Sequence, residues 1–202
     1  TRYESSAASD VYKRQIDYVA EDEKEATIIA KKILSYFQGD IKDWKADDQT
    51  QLSNIMPKDR RWSYPVRDII KIISDIEEFT EIKPEYGKGI VTCFIRIEGK
   101  PFGLLANDSQ HLGGAIDSEG ADKASSFIEI CSEYGLPLIS LVDTPGFMVG
   151  PDSEKEGAVK RMSNLFKVGS KVKVPLTAIF LRKGYGLGAQ AMVGGSLHEP
   201  VY

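Results

Sequence analysis

Pro175-Leu-Thr-Ala-Ile-Phe-Leu181 is an apolar run that leads directly into Arg182-Lys-Gly-Tyr-Gly-Leu-Gly188 and then into Ala189-Gln-Ala-Met192. The length and composition of the first segment predict a buried strand, and the closely spaced glycines that follow predict a loop that enters a helix. Such a junction directs backbone N–H groups and the positive end of a helix dipole at one point. That point can bind an anion, or an oxygen that becomes anionic during a reaction. The same glycines are also compatible with a tight turn that only lets the helix pack on a sheet.

The chain before this junction alternates between helical and strand patterns. A helix is predicted over residues 118–134, a buried strand over 136–142, and a second helix over 154–169. The inward-facing residues expected of the two helices are Ala124, Phe127, Ile128, Cys131 and Tyr134 in the first, and Ala158, Met162, Leu165 and Phe166 in the second. This alternation predicts an α/β fold with parallel strands joined by right-handed crossovers. The loops after the two strands, residues 143–150 and 183–188, are therefore expected at the same edge of the sheet, where such folds place their sites.

Further upstream, the patterns predict two more helices and a hairpin. Residues 22–38 and 66–74 are predicted helices, and the polar stretch between them, residues 40–61, is interpreted as a linker. The face expected to be apolar in the first helix contains Ala26, Ile29, Ala30, Ile33, Leu34 and Phe37. Residues 90–97 and 101–106 are predicted to pair around the tight turn Glu98-Gly-Lys100.

Composition and charge exclude several classes of function. The 202 residues are 42% hydrophobic with a net charge of −4, which suits one good-sized domain and leaves no basic face for nucleic acid. No apolar run approaches the length of a membrane span. The apolar surroundings of Cys93 and Cys131 predict buried, reduced thiols of a cytoplasmic protein. Residues 1–15 have no apolar periodicity and are interpreted as a non-native scar, and the chain is expected to be a fragment at both ends.

Chemistry carried by side chains has little support in the sequence. Asp143-Thr-Pro-Gly146 resembles the DxxG element of a GTPase, but the GxxxxGK[ST] phosphate loop that a GTPase requires is missing. A hydrolase triad lacks its GxSxG segment, and the two available bases, His111 and His198, are interpreted as surface histidines. No His, Cys or carboxylate cluster has the spacing of metal ligands. Backbone chemistry remains, and the amides of Leu187 and Gly188 at the predicted helix start can supply two converging donors.

Six segments, taken in chain order, carry a resemblance to a known family. They are Tyr64-Pro-Val-Arg-Asp-Ile69, Phe102-Gly-Leu-Leu-Ala-Asn107, Gly114-Ala-Ile-Asp117, Lys123-Ala124, Asp143-Thr-Pro-Gly-Phe147 and Arg182-Lys-Gly-Tyr-Gly-Leu-Gly188. Together they resemble the C-terminal lobe of the carboxyltransferase subunit of biotin-dependent acyl-CoA carboxylases. The resemblance covers roughly residues 16–202, and residues 17–38 look like the last helix of the preceding lobe.

The resemblance implies a fold, a reaction and partners. The fold would be a crotonase-like β-β-α superhelix, mostly one lobe of a two-lobe carboxyltransferase. Residues 16–62 would hold the end of the N-terminal lobe and a linker, and residues 63–202 a truncated C-terminal lobe. A carboxyl group would pass, without a metal, from carboxybiotin to the α-carbon of an acyl-CoA. The implied partners are the biotin carboxyl carrier that holds the biotin, a biotin carboxylase component, and further copies in a dimer or hexamer of the full-length protein.

The same resemblance assigns candidate site residues. The backbone N–H groups of Leu187 and Gly188 would form the oxyanion hole for the biotin carbonyl. The candidate biotin-binding or substrate-binding residues are Gly146, Phe147, Gly184, Tyr185, Gly186 and Gln190. Gln190 matches the position that tunes acyl-chain choice. The hole for the thioester enolate would come from the N-terminal lobe of a neighbouring subunit, so the isolated chain is expected to be inactive.

Two segments depart from the pattern of the family. Many members have Gly-Gly-Ala where this chain has Gly186-Leu-Gly188, although a hole made of backbone amides survives such a change. Many members also have His-Gly-Ala-Lys where this chain has Val159-Lys-Arg-Met-Ser-Asn164.

Simpler roles remain open for five of the residues around the two loops. Asp143 is interpreted as the cap of the turn before Pro145, Tyr185 as a packing residue, and Arg182 and Lys183 as structural ion-pair partners. Phe147 is either a plug in the core or a wall that faces biotin.

Two other functions remain open as well. A biotin-dependent decarboxylase, such as one acting on methylmalonyl-CoA, runs the same half-reaction backwards through the same oxyanion holes. A non-catalytic role in assembly or in docking the biotinyl domain would leave the chemistry to other parts of the protein. The partner protein distinguishes the carboxylase from the decarboxylase. A soluble biotin carboxylase as partner indicates the carboxylase, and a membrane-bound, sodium-pumping subunit indicates the decarboxylase.

Overall fold

A computed structural model describes residues 14–59, 61–155 and 157–197, with only the backbone given at 152 and 153. The stretch interpreted as a scar lies outside these residues except at positions 14 and 15. The helices are α1 (Glu23–Ser35), α2 (Leu52–Ile55), α3 (Val66–Ile73), α4 (Ser118–Glu133), α5 (Pro151–Lys155), α6 (Ala158–Gly169) and α7 (Gly186–Met192). The strands are β1 (Phe79–Ile82), β2 (Ile90–Ile97), β3 (Lys100–Asn107), β4 (Leu138–Thr144) and β5 (Leu176–Gly184).

The five strands form one mixed sheet in the order β1-β2-β3-β4-β5. The first three pair antiparallel, and β3-β4 and β4-β5 pair parallel. The predicted alternation is therefore confirmed, with α4 in the first crossover and α5–α6 in the second. The predicted hairpin is also confirmed, since Glu98 (φ 52°) and Gly99 (φ 77°) carry the positive φ angles of a two-residue hairpin turn.

Both faces of the sheet are covered in its centre. One face packs on residues of α4, α6 and α7, among them Phe127, Leu165 and Met192. The other face packs on α3 through Ile69 and Ile70. Central strands buried on both faces read as continuous apolar runs, which is why β2, β3 and β4 could be located from the sequence.

β5 is not the buried strand that its apolar sequence predicts. It lies at the end of the strand order, and Ile179 and Phe180 are 47% and 55% exposed. Helix 154–169 is also two helices, because Gly157 between α5 and α6 takes a left-handed conformation (φ 69°) that an α-helix does not accept.

Two helices bury fewer residues than their apolar patterns predict. In α1 the expected core residues Ala26, Ala30 and Leu34 are exposed, whereas Ile33 and Phe37 pack partly against the core. Tyr134 is 69% exposed, because it follows the end of α4 rather than continuing its buried face.

The segment predicted to be a linker, residues 40–61, is attached to the sheet. The N–H of Ile41 donates to the carbonyl of Gly99 at 3.0 Å, and Ala46 forms a bridge with Asp75. The segment also contains α2, whose Leu52 and Ile55 pack against the core on the α3 face. Among the described residues, no helix is both long and apolar enough to cross a membrane.

Candidate functional site

The two loops predicted at one edge of the sheet meet there. The N–H of Tyr185, after β5, donates to the carbonyl of Thr144, at the end of β4, over 3.2 Å. Gly188 lies so close to Gly146 that an added Cβ would be 2.7 Å from the Gly146 Cα and carbonyl carbon. Ile116 holds the first loop on its other side, accepting from Met148 at 2.8 Å and donating to Gly146 at 3.0 Å. The predicted meeting of the two loops is confirmed.

The second loop enters a helix as the glycine pattern predicts. Tyr185 is the N-cap of α7, and no side chain of the described residues caps this end. Gly186 has φ 59°, which turns the chain sharply into the helix at low steric cost. Leu187 and Gly188 follow in the first turn, where N–H groups have no carbonyl of their own helix to bind.

The candidate site residues differ in the exposure and the hydrogen bonding of their side chains. Tyr185 and Leu187 are 61% and 64% exposed, so the interpretation of Tyr185 as a packing residue is wrong. Phe147 belongs to the first loop and is half-buried, with its ring centre 6.2 Å from that of Phe166. It therefore packs against the core and also leaves part of its ring exposed at the loop. The Gln190 amide donates to the Gly195 carbonyl at 3.4 Å, beyond the far end of α7. Gln190 is exposed, and this hydrogen bond connects its amide to the segment that follows α7.

A buried carboxylate lies beneath the junction. Asp143 is fully buried, and its Oδ2 accepts from the Tyr64 hydroxyl at 2.8 Å and from Nε of Arg182 at 3.1 Å. Its Oδ1 accepts from the backbone N–H of Lys183 at 3.0 Å, while the Lys183 ammonium lies 3.7 Å from the same oxygen. The predicted structural ion pairing of Arg182 and Lys183 is confirmed.

The turn before Pro145 is capped by a different residue from the one expected. The hydroxyl oxygen of Thr144 accepts from the N–H of Gly146 at 3.0 Å. The carboxylate of Asp143 points instead into the cluster of Tyr64 and Arg182, so its interpretation as a turn cap is wrong.

Tyr64 is the residue of this buried cluster that sequence reasoning missed. The Arg182 guanidinium lies 4.5 Å from the centre of its ring. Burial and the neighbouring Asp143 carboxylate raise the pKa of the Tyr64 hydroxyl well above its ordinary value, which keeps it a hydrogen-bond donor. Its motif carried part of the family resemblance, but no local signal connected it to a strand 79 positions further along the chain.

Side chains that could support other chemistry are not assembled here. His111 is half-exposed with Nε2 3.7 Å from Asp117, and His198 lies outside the described residues. Within residues 14–59, 61–155 and 157–197, no group of three His, Cys, Asp or Glu side chains is arranged to hold a metal ion. Cys93 and Cys131 are free, buried thiols, as predicted.

Comparison with known proteins places these features in a wider context. Residues 13–201 match the family model described as the carboxyl transferase domain. The methylmalonyl-CoA carboxyltransferase 12S subunit of Propionibacterium freudenreichii subsp. shermanii is 34% identical over 190 residues, 90% of this chain and 36% of that protein. The methylmalonyl-CoA decarboxylase subunit alpha of Propionigenium modestum is 34% identical over 151 residues, 75% of this chain and 29% of that protein.

Solved structures give the same result for the fold. A single-chain, multi-domain long-chain acyl-CoA carboxylase superposes with a TM-score of 0.90 and 50% identity, over 92% of this chain and 19% of that one. The transcarboxylase 12S hexamer with bound methylmalonyl-CoA gives a TM-score of 0.82 and 32% identity, over 91% of this chain and 38% of that one. Among the curated relatives, the chain spans about a third of the length of those that it matches first. The predicted crotonase-like α/β class is confirmed.

Proposed function

The chain belongs to the carboxyl transferase domain family, and from this premise we propose that it is the C-terminal carboxyltransferase lobe of a biotin-dependent acyl-CoA carboxylase. Residues 63–202 form this lobe in the proposal, and residues 16–62 hold the end of the preceding lobe and a linker. The reaction is transfer of a carboxyl group from carboxybiotin to the α-carbon of an acyl-CoA. The observation that carries the proposal is the pair of first-turn amides of Leu187, which is exposed, and of Gly188, which is buried against the first loop.

The residues at this junction fit a biotin ring. A Cβ added to Gly186 would meet nothing within 4 Å, so a planar group can come close to the main chain above it. Tyr185 and Leu187, the neighbours of Gly186 in the chain, have exposed side chains, and Phe147 in the first loop is half-buried. When bound, biotin supplies the carboxyl group, and its ring carbonyl oxygen gains negative charge as the carboxyl group leaves.

The role of the chain in this reaction is electrostatic. The N–H groups of Leu187 and Gly188 donate to the oxygen that gains charge, and the positive end of the α7 dipole points the same way. Because these donors are fixed before the reaction begins, they do not have to reorganise as charge develops. The proposed site therefore needs no general base and no metal from this lobe.

The proposal is tested on the full-length protein in its native complex. Malonyl-CoA and methylmalonyl-CoA are offered with free biotin, and the loss of carboxyl from each thioester is followed by chromatography. Turnover that depends on biotin is the expected result, and a reaction without biotin is the control. Equal turnover with and without biotin would contradict the proposal.

A decarboxylase is the second candidate, and the similarity to the methylmalonyl-CoA decarboxylase subunits alpha of Propionigenium modestum and Veillonella parvula favours it. The same amides stabilise the same oxygen in either direction of transfer. Partners separate the two functions: copurification with a biotin carboxylase and a biotin carboxyl carrier supports the carboxylase, and a membrane-embedded subunit supports the decarboxylase. For the carboxylase we propose a cytoplasmic dimer or hexamer with an acyl-CoA substrate whose chain length Gln190 helps to select. A purely structural role in assembly predicts that biotin-dependent turnover of the full-length protein does not depend on the N–H of Gly188.

A further inference from the structure

We propose that Tyr64 and Asp143 are positioning residues, which hold the amides of Leu187 and Gly188 in place through an irregularity in β5. This inference rests on the proposed function, because it explains how that site is kept in register. Neither side chain reaches the junction itself; both act through the backbone of the strand that leads into it.

The first step of the argument is the irregular pairing of β4 with β5. Val142 pairs with Phe180 and Thr144 pairs with Gly184, so a single residue of β4, Asp143, lies opposite three residues of β5. Extra residues of this kind interrupt the ladder, bend the strand and change the direction of the chain that follows. The bulge therefore sets the direction in which the glycine junction leaves the sheet.

The second step is that the Asp143 carboxylate replaces the missing ladder bonds. Its Oδ1 accepts from the backbone N–H of Lys183, the last residue of the bulge, at 3.0 Å. Its Oδ2 accepts from Nε of Arg182 at 3.1 Å and lies 3.1 Å from Nη2 of the same guanidinium in an ion pair. One side chain from β4 thus binds both the main chain and a side chain of the bulge.

The third step is that Tyr64 fixes the orientation of this carboxylate. Its hydroxyl donates to Oδ2 at 2.8 Å, and Arg182 also donates to the Trp62 carbonyl at 2.7 Å. The segment that carries Tyr64 is anchored in turn, because its N–H donates to the Ser109 hydroxyl at 3.1 Å. The carboxylate is therefore held from a third part of the chain, independent of β4 and β5.

The fourth step connects the bulge to the amide pair. Only Gly184, Tyr185 and Gly186 separate Lys183 from Leu187. The Tyr185 N–H is bound to the Thr144 carbonyl at 3.2 Å, so this short connector has little freedom to absorb a shift of the bulge. Movement of the Lys183 N–H is passed on to the donors at the start of α7.

The test is Tyr64→Phe in the full-length protein within its native complex, because this change removes the hydroxyl and keeps the ring beneath Arg182. The matched control is Tyr36→Phe. Tyr36 is also a buried tyrosine, its hydroxyl lies 3.1 Å from the Thr80 hydroxyl, and the Arg96 guanidinium lies 5.1 Å from its ring centre. Both variants lose one buried hydroxyl beside an arginine, but only one of them touches Asp143.

We expect Tyr64→Phe to lower kcat for biotin-dependent turnover about tenfold while KM for the acyl-CoA stays within about twofold of wild type, because a displaced donor is felt mainly in the transition state. Hydrogen exchange of the peptide that contains residues 181–190 should become faster in Tyr64→Phe and stay unchanged in Tyr36→Phe. The melting temperatures of the two variants are measured in parallel. If both variants lose the same stability and only Tyr64→Phe loses kcat, then the loss of kcat does not come from lower stability.

An unchanged kcat in folded Tyr64→Phe, with wild-type exchange over residues 181–190, would overturn the inference. An equal fall of kcat in both tyrosine variants would also overturn it, since the effect would then follow stability. A wild-type protein without biotin-dependent turnover would refute the proposed function instead. In that case the exchange measurement still decides whether Tyr64 orders the junction.

Discussion

Substitution of Gly188 tests the proposed oxyanion hole most directly, because the residue supplies a donor and also packs against the other loop. A Cβ at this position would lie 2.7 Å from the Cα and carbonyl carbon of Gly146 and 3.0 Å from the nitrogen of Phe147. Both neighbours are backbone, so they cannot turn aside as a flexible side chain does. Ordinary contact begins at 3.4 Å, so the two loops must move apart by about 0.7 Å from the 2.7 Å that the added Cβ would have.

A separation of this size is enough to lose a hydrogen bond. A donor about 2.9 Å from its acceptor would move to about 3.6 Å, beyond the range in which an N–H binds oxygen. Loss of one donor of this kind ordinarily lowers kcat about 10²–10³-fold. Gly188→Ala keeps its N–H, so relaxation around the methyl group can restore part of the bond. Gly188→Pro adds the same Cβ and also removes the N–H, so relaxation cannot restore its bond.

The assay is biotin-dependent decarboxylation of malonyl-CoA by the full-length protein in its complex. We expect kcat to fall about tenfold or more in Gly188→Ala and by a further 10²-fold or so in Gly188→Pro. Overpacking should also lower the free energy of unfolding by about 1–3 kcal/mol. Gly169→Ala is the control, because its Cβ would lie 3.0 Å from the backbone of Gly194, beyond the C-terminal end of α7. It should lose comparable stability and keep wild-type kcat.

Two results would refute this reasoning. Wild-type turnover in a folded Gly188→Pro protein would show that the N–H of this residue binds no charged oxygen. Equal losses of activity in Gly188→Ala and Gly169→Ala would show that the effect follows helix packing rather than the donor.

Four further predictions concern the chain more broadly. The isolated 202-residue chain should not decarboxylate malonyl-CoA with free biotin, because the hole for the thioester enolate is expected from another lobe; measurable turnover would contradict this. Burial lowers the pKa of Lys123 from 10.5 to about 8. Between pH 8 and pH 10.5 the unfolded state therefore binds more protons than the folded state, and the free energy of unfolding should rise with pH over this range. Lys123→Met should remove that slope and raise stability at pH 7 by about 1–3 kcal/mol, as measured by urea unfolding. Burial raises the pKa of Cys131 to about 12 and that of Cys93 well above its usual value, so a thiol reagent at pH 8 should label neither in the native protein and both in urea. Arg96→Met should lower the free energy of unfolding by about 1–3 kcal/mol, because it removes the buried guanidinium that donates to Glu78 and to the carbonyls of Ser35 and Gly39, whereas Arg61→Met at an exposed pair should leave the urea midpoint unchanged.

The parallel part of the sheet could be predicted because its signals are local. β3 and β4 are buried on both faces, so their apolar runs mark them, and α4 between them has an amphipathic period. Once the strands are parallel, their carboxyl ends must share one edge, and the meeting of the two loops follows. β1 gave no such signal, because it has only four residues, Phe79-Thr-Glu-Ile82, and only the last of them is buried.

The errors at residues 175–181 and 40–61 share one cause, which is that burial depends on neighbours distant in sequence. Residues 175–181 have the composition of a central strand, yet β5 is an edge of the sheet, and the side chains of Thr177, Ile179 and Phe180 are exposed. Residues 40–61 lack a period, yet they are fixed to the hairpin by contacts such as that of Ile41 with Gly99. Composition reports what a segment can bury and not which part of the molecule covers it.

The sequence by itself determined the class of fold and the edge of the sheet where the two loops meet, and it predicted the amides of Leu187 and Gly188 as donors there. These follow from apolar periodicity and from glycine, whose effects act within a few residues. Only the tertiary structure decided which distant residues contact the strand that leads to those amides. The hydroxyl of Tyr64 and the carboxylate of Asp143 are 79 positions apart, and folding brings them within 2.8 Å in the interior. The contact forms only when the chain folds, because the sequence around Tyr64 contains no information about Asp143, and the sequence around Asp143 contains none about Tyr64.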